Sequence, residues 1–153
     1  MRDHLARLLS TFFYVGNVPV APGSLASLAG TLLAVIFHGD PAVYIVFWGA
    51  ITLVGFAVSA RAEKLFGRKD PSCIVIDEVS GVLLAFFALP LTPAVIVTTF
   101  FLFRAFDMFK IYPVNRFEEL PGAVGIMADD LWAGLYTNIV MQLAIRWAGM
   151  MNL

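Results

Sequence analysis

Charge is scarce in this chain, and histidine and cysteine are scarcer still. Only 14% of the 153 residues are charged, and there are two histidines, His4 and His38, and one cysteine, Cys73. A lone cysteine closes no internal disulfide, and neither histidine is close enough in sequence to complete a local metal motif with it. The formal net charge of -1 supplies no basic field, so neither nucleic acid nor another polyanion is expected as a partner.

What the chain has instead is apolar surface. Hydrophobic residues make up 60% of it and the mean hydropathy is +0.86, well beyond a soluble domain of this size. Residues 23–37, 42–60, 79–89, 94–103 and 131–145 carry no charge, and they predict an all-α integral membrane bundle of five hydrophobic helices. Only 42–60 approaches the roughly 20 residues that cross a hydrocarbon core upright; the others reach that length by taking in the polar residues at their ends. Arg2 and Arg7 ahead of the apolar run Leu8 to Gly16 resemble the start of a signal peptide. The later apolar segments already demand insertion, so the amino terminus is read as retained.

Breakers mark the joints: Pro19, Pro22 and Gly23, then His38-Gly-Asp-Pro41, then Pro90 and Pro93. Residues 61–72 and 111–126 are polar enough for extramembrane loops. With no repeat, low-complexity tract or linker, residues 1–153 form one domain. Counting crossings then brings every polar cluster to one side: the start of the first helix near Pro22, the end of the second at Arg61, Asp77, the stretch Arg104 to Lys110, and Asp130. That side also holds Arg2, Arg7, Arg61, Lys64, Arg68, Lys69, Arg104, Lys110 and Arg116, leaving Arg146 alone opposite, so the positive-inside bias makes it cytoplasmic.

Three acidic motifs share this side: Asp77 with Glu78, Asp107 between Arg104 and Lys110, and Asp129 with Asp130. At i, i+3 spacing Arg104, Asp107 and Lys110 fall on one broad helix face. Charges beside apolar helices are costly and face a bundle interior or wet cavity with partners. Five carboxylates with two cations suit a divalent cation bound through oxygen, Mg²⁺ being the natural one, with the basic groups left for phosphate. The segment Gly16 to Ser24 runs into a helix amino terminus, where free N–H groups favour an anion and Ser24 is expected to cap. Taken singly, the acids at helix starts also suit the macrodipole, and Arg104, Asp107 and Lys110 also make a structural ion-pair ladder. Their convergence on one side favours a site.

Cys73 is followed by "IVIDEVSG", with no arginine-bearing phosphate loop, and His38 falls on the opposite side, so cysteine and histidine nucleophiles are both disfavoured. A carboxylate-metal mechanism that activates water is what these residues support.

The motifs "PVAPGS" at 19–24, "IVIDEVSG" at 74–81 with "ALP" at 88–90, "FRAFDMFK" at 103–110 and "GIMADD" at 125–130 occur in order. On them the chain resembles the phosphatidylglycerophosphatase A family of bacterial inner-membrane lipid phosphatases, from about Gly16 to Gly134. The resemblance implies Mg²⁺-dependent hydrolysis of the terminal phosphate of phosphatidylglycerophosphate to phosphatidylglycerol, with the site facing the cytoplasm. It implies a catalytic set of Asp77, Glu78, Asp107, Asp129 and Asp130. Asp77, Asp107 and Asp130 are the first choices as metal ligands, and Glu78 and Asp129 a further ligand or general base. Arg104 and Lys110 are expected to hold phosphate, and Asn17, Gly23, Ser24 and Ser27 to belong to the substrate-binding loop. Departures from the family pattern, Ser24, Ala26, Ile111 and Gly122-Ala-Val-Gly125, remove no candidate ligand. Oligomeric state is left open.

The rival is a small transporter or channel subunit without enzymatic activity. An ion path needs polar groups at several depths, and Val82 to Leu89 and Leu131 to Leu135 supply none.

Overall fold

The computed structural model describes residues 2–67, 71–110, 112, 116 and 120–151. Parts of both expected loops, with Arg68, Lys69 and Ile111, lie outside these residues. The regular structure among the described residues is all helical, with no strand: a 3-10 turn at Val15–Asn17 and six α-helices, α1 (Arg2–Ser10), α2 (Pro22–Phe37), α3 (Pro41–Phe66), α4 (Ile76–Phe86), α5 (Pro93–Phe109) and α6 (Ala123–Met151).

Proline opens three of them at N1, where its missing N–H costs nothing. The Asp40 side chain caps α3 by accepting from Ala42 N at 2.8 Å and Val43 N at 3.3 Å, and Gly67 closes that helix at a φ of 67°. Thr92 caps α5 through Val95 N at 3.3 Å. Ser24 does not cap α2: Ala21 is the cap residue, without a side-chain bond, and Ser24 lies inside the first turn.

α1 is a helix that the hydrophobic pattern does not predict, being nine residues long and rich in charge. It packs on α3, where Asp3 Oδ1 meets Arg61 Nη2 at 2.6 Å and the Arg7 guanidinium lies 5.1 Å from the Phe66 ring centre. Ser10 O accepts from Val75 N at 2.9 Å, joining α1 to the residue just before α4.

α4 is the centre of the bundle and packs against α2, α3, α5 and α6. Val79, Val82, Leu83, Ala85 and Phe86 are wholly buried with Phe103 and Ala133, and Ile76 joins a second cluster with Ile74, Ile126 and Met127. Where α4 meets α6, a Cβ on Gly134 would collide with the Gly81 carbonyl oxygen, so the absence of side chains lets two backbones touch.

With 11 residues α4 is only roughly 16 Å long at 1.5 Å per residue, about half of a hydrocarbon core. Its last carbonyls end inside the protein, where each orphan would cost about 1–3 kcal/mol. Backbone amides take two of them, Phe87 N bonding Leu84 O at 3.1 Å and Leu89 N bonding Phe86 O at 3.2 Å, and side chains from α3 and α6 take Leu83 O and Ala85 O, and further bond Ser80 O within the helix. Tyr44 OH donates to Leu83 O at 2.6 Å, Trp48 Nε1 to Ser80 O at 3.1 Å, and Asn138 Nδ2 to Ala85 O and Phe87 O at 3.1 and 2.7 Å. His38 Nε2 lies 2.8 Å from Leu89 O, so this histidine sits at the end of α4 away from its acids.

Among the described residues α3 alone is long and apolar enough to cross a membrane, with a mean hydropathy of 2.0. Large apolar side chains stand exposed along several helices, among them Leu32 on α2, Val46 and Leu53 on α3, Phe101 on α5 and Leu143 on α6.

Candidate active site

Four helix ends meet at one end of the bundle. The first turns of α2 and α4, the last two turns of α5 and the first turns of α6 line a cleft of about 420 Å³ that holds Gly23, Ser24, Asp77, Glu78, Arg104, Asp107, Lys110, Asp129 and Asp130. All five expected catalytic carboxylates and both expected phosphate-holding cations are therefore together. Asn17 is exposed and does not line the cleft, and Ser27 is buried behind it.

Asp77 and Glu78 lie in the first turn of α4, where the macrodipole favours them. The same account fails for Asp129 and Asp130. Gly122, at a φ of 66°, turns the chain into α6 from Ala123, and Ile126 N already bonds Gly122 O at 3.3 Å. The acidic pair thus lies nearly two turns inside the helix, beyond the reach of its end dipole. This corrects the expectation that the pair marks the helix start: Ala123 to Ala128 contains good helix formers, and the loop ends earlier than their low charge indicates. Asp129 and Asp130 are almost fully buried, at 7% and 3% exposure, which a solvated helix-start charge is not.

The ion pairs also differ from a single-helix ladder. Arg104 Nη1 pairs with Asp107 Oδ2 at 2.6 Å as the spacing predicts, but Lys110 Nζ reaches Asp129 Oδ2 at 3.1 Å. The reason is local: Lys110 is the C-cap of α5, at a φ of 44°, so the backbone leaves the helix before its side chain can follow the i, i+3 row. Asp129 Oδ1 also accepts from Asp130 N at 3.0 Å.

Asp77, Glu78 and Asp130 each offer one carboxylate oxygen within 4.8 Å of the others. This trio shares Asp77 and Asp130 with the expected ligand set and has Glu78 where Asp107 was expected; Asp107 is engaged with Arg104. Glu78 Oε2 and Asp130 Oδ1 are buried without a hydrogen-bond partner among the described residues. Five carboxylates face two cations in the cleft, and buried negative charge without a counter-charge is costly. An octahedral ion with bonds near 2.1 Å spaces adjacent ligands about 3.0 Å and opposite ones about 4.2 Å apart, so three oxygens within 4.8 Å of one another need only a small closure and fit a small divalent cation.

Gly23 lies where α2 meets the acids: a Cβ there would collide with Glu78 Oε1 and come within 3.5 Å of Arg104 Nη1. The Gly23 and Ser24 amides precede the first intrahelical bond, Leu25 N to Ala21 O at 3.1 Å, so α2 presents donors beside the arginine. The sequence reading missed Ala21, Ser72, Ile74 and Met108, which also line the cleft. Ala21, Ile74 and Met108 lie inside the motifs quoted above and Ser72 two residues before one, which was the available signal.

An all-helical bundle that gathers carboxylates, an arginine and a helix amino terminus around one cleft offers both an anion-binding place and acid-base groups, as hydrolysis of a phosphate ester requires. The chain belongs to the phosphatidylglycerophosphatase A family, whose model matches residues 8–145, and it is a phosphatase. It is 35% identical over 144 residues to a phosphatidylglycerophosphatase A of Haemophilus influenzae, covering 92% of this chain and 88% of the relative. It is 32% identical to a Bacteroides thetaiotaomicron protein provisionally named a phosphatidylinositol-3-phosphatase, covering 92% of each chain. A phosphatidylglycerophosphatase A of Escherichia coli is 30% identical, with 92% of this chain and 84% of the relative covered. No solved structure matches the chain.

Proposed function

We propose that this phosphatase hydrolyses the terminal phosphomonoester of phosphatidylglycerophosphate to phosphatidylglycerol and phosphate, with Mg²⁺ as cofactor, at the cytoplasmic face of a bacterial inner membrane that its helices span. The observation that carries the reading is the trio Asp77, Glu78 and Asp130 gathered within 4.8 Å in the cleft that also holds Arg104. The substrate comes from the names of the Haemophilus and Escherichia relatives. The membrane setting is supported by the length of α3, the exposed apolar side chains and the gathering of polar motifs at one end.

Asp77, Glu78 and Asp130 would hold the cation, which when bound supplies Lewis-acid polarisation of the phosphoryl group. Arg104, oriented by Asp107, receives phosphoryl oxygens together with the first-turn amides of α2. Lys110, held by Asp129, adds a second positive charge at the same cleft. Carboxylate oxygens of the cluster that do not face the cation take the proton of the attacking water.

The test is phosphate release by purified protein in detergent micelles, with Mg²⁺ and then with a chelator. Phosphatidylglycerophosphate and phosphatidylinositol 3-phosphate are offered side by side, because the Bacteroides relative is named for the second. Mg²⁺-dependent release that favours phosphatidylglycerophosphate is expected. No release from it, or undiminished release in chelator, would overturn the reading.

A further inference from the structure

Ser27 is a fully buried serine that touches the site only from behind. Its hydroxyl donates to Gly23 O at 2.9 Å, the usual back-bond of a helical serine to the preceding turn. The same oxygen accepts from Arg104 Nη1 at 3.3 Å, and that nitrogen also meets Asp107 Oδ2 at 2.6 Å. One guanidinium nitrogen is thus held between a hydroxyl on α2 and a carboxylate on α5. Arg104 Nε, buried, has no hydrogen-bond partner among the described residues. Both anchors grip the guanidinium at Nη1 and so fix it beside the first turn of α2.

We infer that Ser27 is a positioning residue for phosphate recognition, locking Arg104 to the first turn of α2 so that the guanidinium and the Gly23 and Ser24 amides form one preassembled phosphate cradle. The inference deepens the phosphatase reading above and rests on it. Arginine has several rotatable bonds whose freedom is otherwise lost on binding, and fixing them in advance raises affinity without adding a contact to the ligand. Asp107 alone cannot align the arginine with α2, because both lie on α5. Ser27 is the link between the two helices. Its burial excludes direct contact with the lipid, which distinguishes it from the substrate-contacting role that the motif resemblance implies.

The experiment measures binding of inorganic phosphate to the Mg²⁺-loaded protein by calorimetry, beside lipid turnover, in Ser27→Ala, Ser27→Cys and Ser27→Thr. Loss of one hydrogen bond to a charged group should weaken phosphate binding about tenfold or more in Ala and Cys, with KM for lipid rising more than kcat falls. Thr keeps the hydroxyl and should restore affinity to within about twofold of wild type, provided melting shows it folded. The deciding comparison is a double-mutant cycle with Arg104→Lys. If Ser27 acts through Arg104, then Ser27→Ala in that background changes phosphate binding less than twofold. Independent, multiplying effects would overturn the inference, as would wild-type phosphate affinity in Ser27→Ala. Wild-type protein that binds phosphate but hydrolyses neither lipid would instead refute the proposed function.

Discussion

Lys110 Nζ lies 3.1 Å from Asp129 Oδ2, so the cation that closes α5 is tied to α6 rather than to Asp107 on its own helix. Asp129 in turn reads as the holder of Lys110 and not as a member of the carboxylate trio. Asp129→Asn is therefore expected to raise KM for the lipid about tenfold, the scale of a charge-assisted hydrogen bond, while kcat falls less than threefold. A fall in kcat comparable with that of the trio would give Asp129 a direct role in the chemistry.

For the trio the expectation is harsher. Asp77→Asn, Glu78→Gln and Asp130→Asn keep size and one acceptor oxygen but remove charge, and each should cost on the order of 10²-fold or more in turnover. The measurement is Mg²⁺-dependent phosphate release per folded protein, with the Mg²⁺ concentration for half-maximal rate recorded for each variant. Near-wild-type rates and metal dependence in all three would remove the cation from this place.

Gly134→Ala tests whether the acids are set by helix contact. The new methyl meets the Gly81 carbonyl, and parting the two backbones should cost about 1–3 kcal/mol, read as a lower melting temperature in detergent. Asp77 and Glu78 ride on α4 and Asp130 on α6, so turnover of the still-folded fraction should fall as well. Lost stability with unchanged turnover would show that the site tolerates a shift between these helices.

One-sidedness is open to a labelling test. Cys73→Ser should keep turnover near wild type, since the cleft is lined by Ser72 and Ile74 but not by Cys73. In that background, single cysteines at Lys64 and Arg116, both exposed, should react alike with an impermeant thiol reagent in sealed vesicles. Opposite reactivity would end the shared-side topology.

The residues that could be read from the sequence are those whose local chemistry is self-sufficient. Pro22, Pro41 and Pro93 mark helix starts whatever surrounds them, whereas α3 runs past its expected end at Arg61 into the expected loop, to Phe66, where Gly67 closes it. The acidic motifs were legible for a related reason: a charge in an apolar chain needs a purpose. What could not be read depends on partners remote in sequence. The pairing of Lys110 with Asp129 needs the turn at Lys110 as well as the position of α6, and the back-side role of Ser27 needs Arg104, 77 positions away. α1 escaped notice because its stabilising contacts, Asp3 with Arg61 and Arg7 with Phe66, are tertiary. Glu78 in place of Asp107 within the trio is a matter of distances that no spacing rule gives.

The polar side chains bonded to the α4 backbone do more than satisfy it. They grip named carbonyls, those of Ser80, Leu83 and Ala85, and so set the angular setting of the whole rod as a key is set by its bow. Each residue of a helix turns it by about 100°, so one residue inserted between Glu78 and Ser80 would swing Asp77 and Glu78 more than a quarter turn while the gripped end stayed still. The acids would then face a neighbouring helix instead of Asp130. Tyr44, Trp48 and Asn138 thus govern the compass bearing of a site they never touch, and an enzyme of this design can tolerate changes in its loops far better than a single insertion in its shortest core helix.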